Sequence, residues 1–267
     1  MMCGLQSTLI PTSKIYLGHK VLGVAAVVSG VITLAWRDLG AWQQVTPLGK
    51  IPHPQIFLYI AGAIQLAGGV AIQWPLTRRI GALSLASIFL IFTLLWVPQI
   101  VAAPLIFNNW GSPLEQFSVV SGALVVYGTT SPNNQRSAKR LARIGYVCFG
   151  VCVFSFAVEQ VAYFSATVAL VPKWIPPGRM FWAIATTIAF GLAAVAQLSG
   201  RSALLASRLL TIMLVGFGLL IWVPAIASDP HKLSNWTEHN LNLAIAGAAW
   251  IVTDFLAQNR SEVGPAP

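Results

Sequence analysis

Leu94-Leu-Trp-Val-Pro-Gln-Ile-Val-Ala-Ala-Pro104 returns 126 positions later as Leu220-Ile-Trp-Val-Pro-Ala-Ile-Ala-Ser-Asp-Pro230, and each copy closes a long apolar run. Asn109-Trp110 returns as Asn235-Trp236 at the same spacing, again with an apolar segment behind it. Upstream the spacing is 124: Ile51-Pro52 pairs with Ile175-Pro176, and Gln73 with Gln197. Landmarks that recur in one order indicate a duplicated module, and repeats set the frame for any fold assignment.

Composition fixes the solvent. Apolar residues make up 56% of the 267 residues, charged residues 9%, and the mean hydropathy is +0.73. That leaves too little charge to cover a water-soluble surface. The stretch Ile80 to Ala103 carries no charge and exceeds the roughly 20 residues that cross a bilayer core. The runs are continuous rather than alternating, which selects helices over a barrel.

Breaks at charged and Pro-rich stretches predict eight helices, near 17–36, 55–73, 80–103, 114–130, 143–163, 180–199, 203–227 and 240–257. The fold class expected is an all-α transmembrane, eight-helix bundle. It divides into a four-helix repeat at 1–130, a basic polar linker at 131–141, a second four-helix repeat at 142–258 and a disordered tail at 259–267. An even number of helices per copy makes the two repeats parallel, with a pseudo-two-fold axis along the membrane normal. The fourth and eighth runs look short for a bilayer, a feature that can mark either a site between repeats or tilted helices at a subunit interface.

Lys and Arg set the orientation. Eleven lie on the face of the N-terminus: Lys14, Lys20, Arg78, Arg79, Arg136, Lys139, Arg140, Arg143, Arg201, Arg208 and Arg260. Five lie on the other: Arg37, Lys50, Lys173, Arg179 and Lys232. The positive-inside rule then places both termini in the cytoplasm of an inner-membrane protein. The net charge of +9 is a topology signal and calls for no nucleic-acid partner.

The chemistry-bearing residues are few. Asp38, Glu115, Glu159, Asp229 and Glu238 all map to the outer helix ends or outer loops. Two readings stand: charge gathered where lipid gives way to water, or a polar vestibule that also draws on Arg37, Gln160, Lys173 and His239. Glu159 is the leading catalytic candidate, because Cys148, Cys152, Ser155 and Glu159 share one helix face at spacings of 4, 3 and 4. A partner for it, if buried, comes from Arg37, Lys173, Arg179 or Lys232. The same stripe also suits plain helix packing by small residues. Cys148 and Cys152 are spaced C-x-x-x-C, unlike a thiol redox pair. His19, His53, His231 and His239 form no metal-ligand spacing, so no metal is expected. No phosphate-binding, dinucleotide or nucleophile-elbow motif is present.

Ala157-Val158-Glu159-Gln160, Val171-Pro-Lys-Trp-Ile-Pro176, Phe181-Trp182, Arg208-Leu209, Trp222, Asn235-Trp236 and Leu243-Ala-Ile-Ala-Gly247 together resemble the DoxX-like family of four-helix membrane proteins. The first half looks like a more diverged copy. The resemblance implies redox-linked membrane complexes and admits quinone as a cofactor; the chain departs from it at Gln160, where relatives often carry His.

Three functions remain open. The first is a non-catalytic subunit or scaffold of a larger, redox-linked complex, with a membrane-protein partner or a second copy of itself. The second is an oxidoreductase subunit handling quinone or a sulfur substrate in an outward-facing pocket. The third is a small-molecule transporter, which ranks last because Ala35 or Arg37 falls opposite Glu159 in the repeat.

Overall fold

Proline decides where the long apolar runs bend. Pro98 and Pro224 lack the N–H that would bond one turn back, so a continuous helix cannot pass through either unchanged. A computed structural model describes residues 17–37, 53–131 and 136–263, and it shows both breaks. In the first, α3 (Arg78–Leu94) opens at Leu95 and Trp96 and resumes as a short helix, Val97–Ala102. In the second, Ala203–Phe217 widens into a π-helical turn, Gly218–Trp222, before a short helix, Val223–Ser228. A π turn absorbs an unmatched hydrogen bond by adding a residue to the turn, and such turns collect at functional sites.

In chain order the helices are α1 (Gly18–Trp36), α2 (Pro54–Ala71), α3, α4 (Val97–Ala102), α5 (Asn108–Thr129), α6 (Arg136–Ala162), α7 (Phe164–Leu170), α8 (Arg179–Ser199), α9 (Ala203–Phe217), α10 (Val223–Ser228) and α11 (Leu233–Val263). No strand occurs among the described residues. Seven helical stretches are long and apolar enough to cross a membrane. The protein is therefore an all-helical, multi-pass membrane protein.

The expected eight similar spans need correcting. Helix α5 is not among the seven, because its first half carries Asn108, Asn109, Ser112, Glu115 and Gln116. It is not short either: 22 residues reach about 33 Å at 1.5 Å per residue. Counting apolar residues underestimates it because the count drops the polar first turns, Asn108 to Pro113, although Ser112 there is buried. Helix α11 likewise has 31 residues, and it runs to Val263, into the stretch read as tail. Helix α6 starts at Arg136 rather than 143, since Arg, Lys and Ala favour helix whether or not they sit in lipid. The extra short helix α7 fills a loop expected to be irregular.

Neighbouring helices form a closed ring: α1, α2, α3, α5, α6, α8, α9 and α11, with α11 returning to α1. Across the middle, α5 also touches α11. Without water to drive association, such packing depends on close backbone approach at small residues. A Cβ on Gly81 would stand 2.4 Å from the Ile72 nitrogen, and one on Gly18 would stand 2.4 Å from the Ile251 nitrogen, so both joints require glycine. Two apolar cores result. Leu22, Leu58, Leu85, Phe92 and Val119 build the first, and Phe149, Val153, Phe190 and Leu210 the second. Helix α11 serves both, through Ala244 and Ile251 on one side and Leu241, Ile245 and Ala248 on the other.

Charge divides the bundle into two ends. Lys20, Arg78, Arg79, Arg136, Lys139, Arg140 and Arg143 gather at the end where α1 begins, whereas Glu115, Glu159, Asp229 and Glu238 gather at the other. The bundle thus has a basic end and an acidic end.

A candidate site at the acidic end

Helix α6 ends one turn past Glu159, and Tyr163, at φ −116° and ψ 43°, turns the chain into α7. That turn sets α7 against α8, and a cavity of about 850 Å³ opens between α5, α6, α7, the π turn with α10, and α11. Glu115, Glu159 and Glu238 reach it from three different helices. Gln160, Tyr163, Lys232, Asn235 and Asn242 complete its polar rim, and Phe156, Phe190, Leu214, Phe217 and Ile245 form its apolar floor. Three carboxylates and one ammonium make it an acceptor-rich pocket with negative excess charge.

Each wall is fixed locally. A Cβ on Gly111 would stand 3.2 Å from the Glu159 carboxyl carbon, so the glycine makes room for the carboxylate between α5 and α6. The Oε1 of Gln160 accepts from Thr187 at 2.9 Å and Thr186 at 3.3 Å, which ties α6 to α8. Asn242 Nδ2 donates to the Leu214 carbonyl at 2.9 Å, just where the π turn begins. Tyr163 accepts a hydrogen bond from the Asn108 backbone N–H at 3.1 Å.

The repeated Asn-Trp pair has a mechanical role. Asn235 Nδ2 donates to the carbonyls of Ala225, at 2.9 Å, and Asp229, at 3.0 Å, adding a side-chain donor to carbonyls that already accept backbone N–H groups where α10 ends. Asn109 Nδ2 does the same for Gln99, at 3.1 Å, and Ala103, at 2.9 Å. The indoles follow suit: Trp110 Nε1 donates to Pro104 and Trp236 Nε1 to Pro230, both at 2.9 Å. Ala103 and Asp229 both take φ −146°, with ψ of 72° and 84°. The two corners are thus built alike, bond for bond.

Of the residues singled out from sequence, Glu115, Glu159, Gln160 and Glu238 converge on this cavity, joined by Lys232 from the set of proposed cation partners. Arg37 does not reach it; it ends α1 in a left-handed conformation at φ 53° and is exposed. Lys173 is exposed in the loop before α8, away from the lining. Asp38 lies outside the described residues. His239 turns to the neighbouring helix face, where its ring packs about 3.6 Å from the position of a Cβ on Gly218, so Glu238 and His239 do not act on one space. Cys152 and Ser155 are buried and Cys148 is half-buried; both cysteines are free thiols. The Cys-Ser part of the stripe faces protein and only Glu159 meets the cavity. No group of three metal-ligating side chains occurs among the described residues.

Sequence reading missed Tyr163, Trp222 and Asn242 in the lining. Trp222 lay within the repeated phrase itself, and its position beside a helix-breaking proline was the available signal. No family model, curated protein or solved structure matches the chain.

Proposed function

We propose that this protein is a non-catalytic inner-membrane subunit that holds a small amphipathic ligand at the acidic end and serves a larger, redox-linked membrane assembly. The cavity carries the reading. Its volume of about 850 Å³ falls within the roughly 300–1,000 Å³ of small-molecule sites. Its polar groups stand at one rim and its apolar groups on the floor, a division suited to a molecule with a hydrogen-bonding head and a hydrophobic body.

The head should bring donors, since three carboxylates supply only acceptors when ionised. A quinol meets that demand with two hydroxyls and a ring able to stack on Phe156 or Trp222. The resemblance to DoxX-like proteins points to the same ligand class. A second reading, quinol oxidation within the complex, is favoured by Glu159, whose carboxylate stands on the wall as an acceptor for a hydroxyl proton.

The architecture we propose is two parallel four-helix modules with both termini cytoplasmic. The matching Asn-Trp corners support the modules, and the eleven-to-five division of Lys and Arg supports the orientation. The acidic end then faces outward, where a partner subunit is met.

Protein reconstituted in nanodiscs, titrated with a short-chain quinol under anaerobic conditions, tests the binding reading. Saturable quenching of tryptophan emission is expected, reduced in Trp222→Phe. Linear, non-saturating quenching that the substitution leaves untouched would exclude this ligand class.

A further inference from the structure

At the basic end, far from the carboxylate cavity, α1, α3, α5 and α11 enclose a second, smaller cavity of about 150 Å³. His19, Arg78, Thr129, Thr130, Asp254 and Gln258 supply its polar lining. Its makeup is unusual in what it leaves unmet. His19 is only 8% exposed, lines the cavity, and its Nε2 has no hydrogen-bond partner. The Nε of Arg78, also buried, has none either. Buried polar atoms are almost always paired, so two unpartnered nitrogens together in one small space call for a polar occupant.

Asp254 is already engaged: its Oδ2 accepts from the Gly18 backbone N–H at 3.0 Å, fastening the start of α1 to α11. The hydroxyls of Thr129 and Thr130 donate to backbone carbonyls one turn back, at 2.9 Å and 2.8 Å, which leaves their oxygens as acceptors only. The surrounding charge is positive. Lys20 follows His19 on α1, Arg79 follows Arg78, and an adjoining cavity that shares Thr129, Phe255 and Gln258 is lined by Lys139 and Arg143.

We propose that this cavity is a phosphate site: a tetrahedral oxyanion seated on Arg78 and His19 Nε2–H, held in the positive field of this end of the bundle. Arg78 supplies a guanidinium, the group best shaped for phosphate oxygens. The phosphate comes either from the headgroup of an anionic phospholipid, whose leaflet the basic end meets, or from free inorganic phosphate.

Two probes separate these sources. Delipidated protein in a zwitterionic detergent is titrated with dihexanoylphosphatidylglycerol and, separately, with inorganic phosphate, binding being read by phosphorus NMR line broadening. Saturable binding of the lipid alone assigns the site to a headgroup; binding of both assigns it to phosphate as such. Arg78→Gln should weaken binding by about tenfold or more, the scale of one charge-assisted hydrogen bond. Lys173→Gln, at the far end, should leave it unchanged. Asp254→Asn should tighten binding, because it removes the opposing charge yet keeps an oxygen for the Gly18 N–H. A tighter complex cannot arise from misfolding, so this variant guards the test if Arg78→Gln proves unstable. Failure of both probes to bind saturably, or Asp254→Asn leaving affinity unchanged or weaker, overturns the proposal.

Discussion

Gly122 of α5 lies directly against Ala248 of α11, the residue 126 positions further along, and a Cβ built on Gly122 would stand 2.7 Å from the Ala248 Cβ. The offset is the one that separates the two Leu-Leu/Ile-Trp-Val-Pro phrases and the two Asn-Trp corners. In the proposed two-module architecture, a residue that touches its own counterpart would lie on the axis relating the modules. Helices α5 and α11, the fourth of each proposed module, therefore meet at the centre while each also packs on the first helix of the other half.

The tightness of that contact gives the first prediction. In Gly122→Ala the new methyl meets Ala248 at both Cβ and Cα, and the Cα cannot rotate away. Overpacking of this kind costs about 1–3 kcal/mol. The loss should appear as a lower melting temperature in detergent and should be relieved in part by adding Ala248→Gly. A Gly122→Ala protein as stable as the parent would remove this contact from the structure's key joints.

The two corners can be weighed against each other. Asn109→Ala and Asn235→Ala each delete two side-chain donors to helix-end carbonyls, at about 0.5–1.5 kcal/mol per bond. Their stability losses should therefore be alike. Their effects on ligand binding should differ, since Asn235 lines the cavity and Asn109 does not. Thermal unfolding together with quinol titration distinguishes the two outcomes, and equal loss of binding in both would detach the corner from the site.

Gln160 illustrates how little a visible hydrogen bond can contribute. Thr186 and Thr187, its donors, have alternative acceptors in the carbonyls of Trp182 and Ala183, at 2.9 Å and 2.7 Å. Removing the amide leaves neither hydroxyl stranded, so Gln160→Leu should cost under about 1 kcal/mol. Chemical unfolding in mixed micelles measures it. A loss of several kcal/mol would mean that the amide carries more than these two bonds.

How far the fold was legible follows from the solvent. Lipid forbids charge and open backbone, so Ile80 to Ala103 announced itself as a crossing helix. The same rule hid the first turns of α5 and α11, because Asn108, Asn109 and Ser112 in one and Asn235 and Glu238 in the other are polar residues that a hydropathy count cuts away. Four carboxylate or amide residues of the acidic cavity were readable, since charge marks helix ends. The walls that make it a cavity were not: they depend on the π turn and on the swing of the chain at Tyr163. Least legible was the cluster at the basic end. His19, Arg78 and Asp254 are brought together only because α11 returns to α1 and closes the ring.

The carboxylates of the acidic cavity yield the last prediction. Glu159→Gln keeps an oxygen able to accept a hydrogen bond but removes a charge from a rim that holds two others and Lys232. A bond to an ionised acceptor is worth about 1.5–3 kcal/mol against roughly 0.5–1.5 for a neutral one. The substitution should thus weaken quinol binding by about tenfold. The oxidised quinone brings carbonyls instead of hydroxyls and loses nothing at this position; relief of repulsion toward its oxygens should hold its affinity steady or improve it. The ratio of the two affinities, measured in one nanodisc preparation, is insensitive to any fraction of protein that fails to fold. A ratio unchanged by Glu159→Gln would show that the ligand's polar head does not meet this carboxylate.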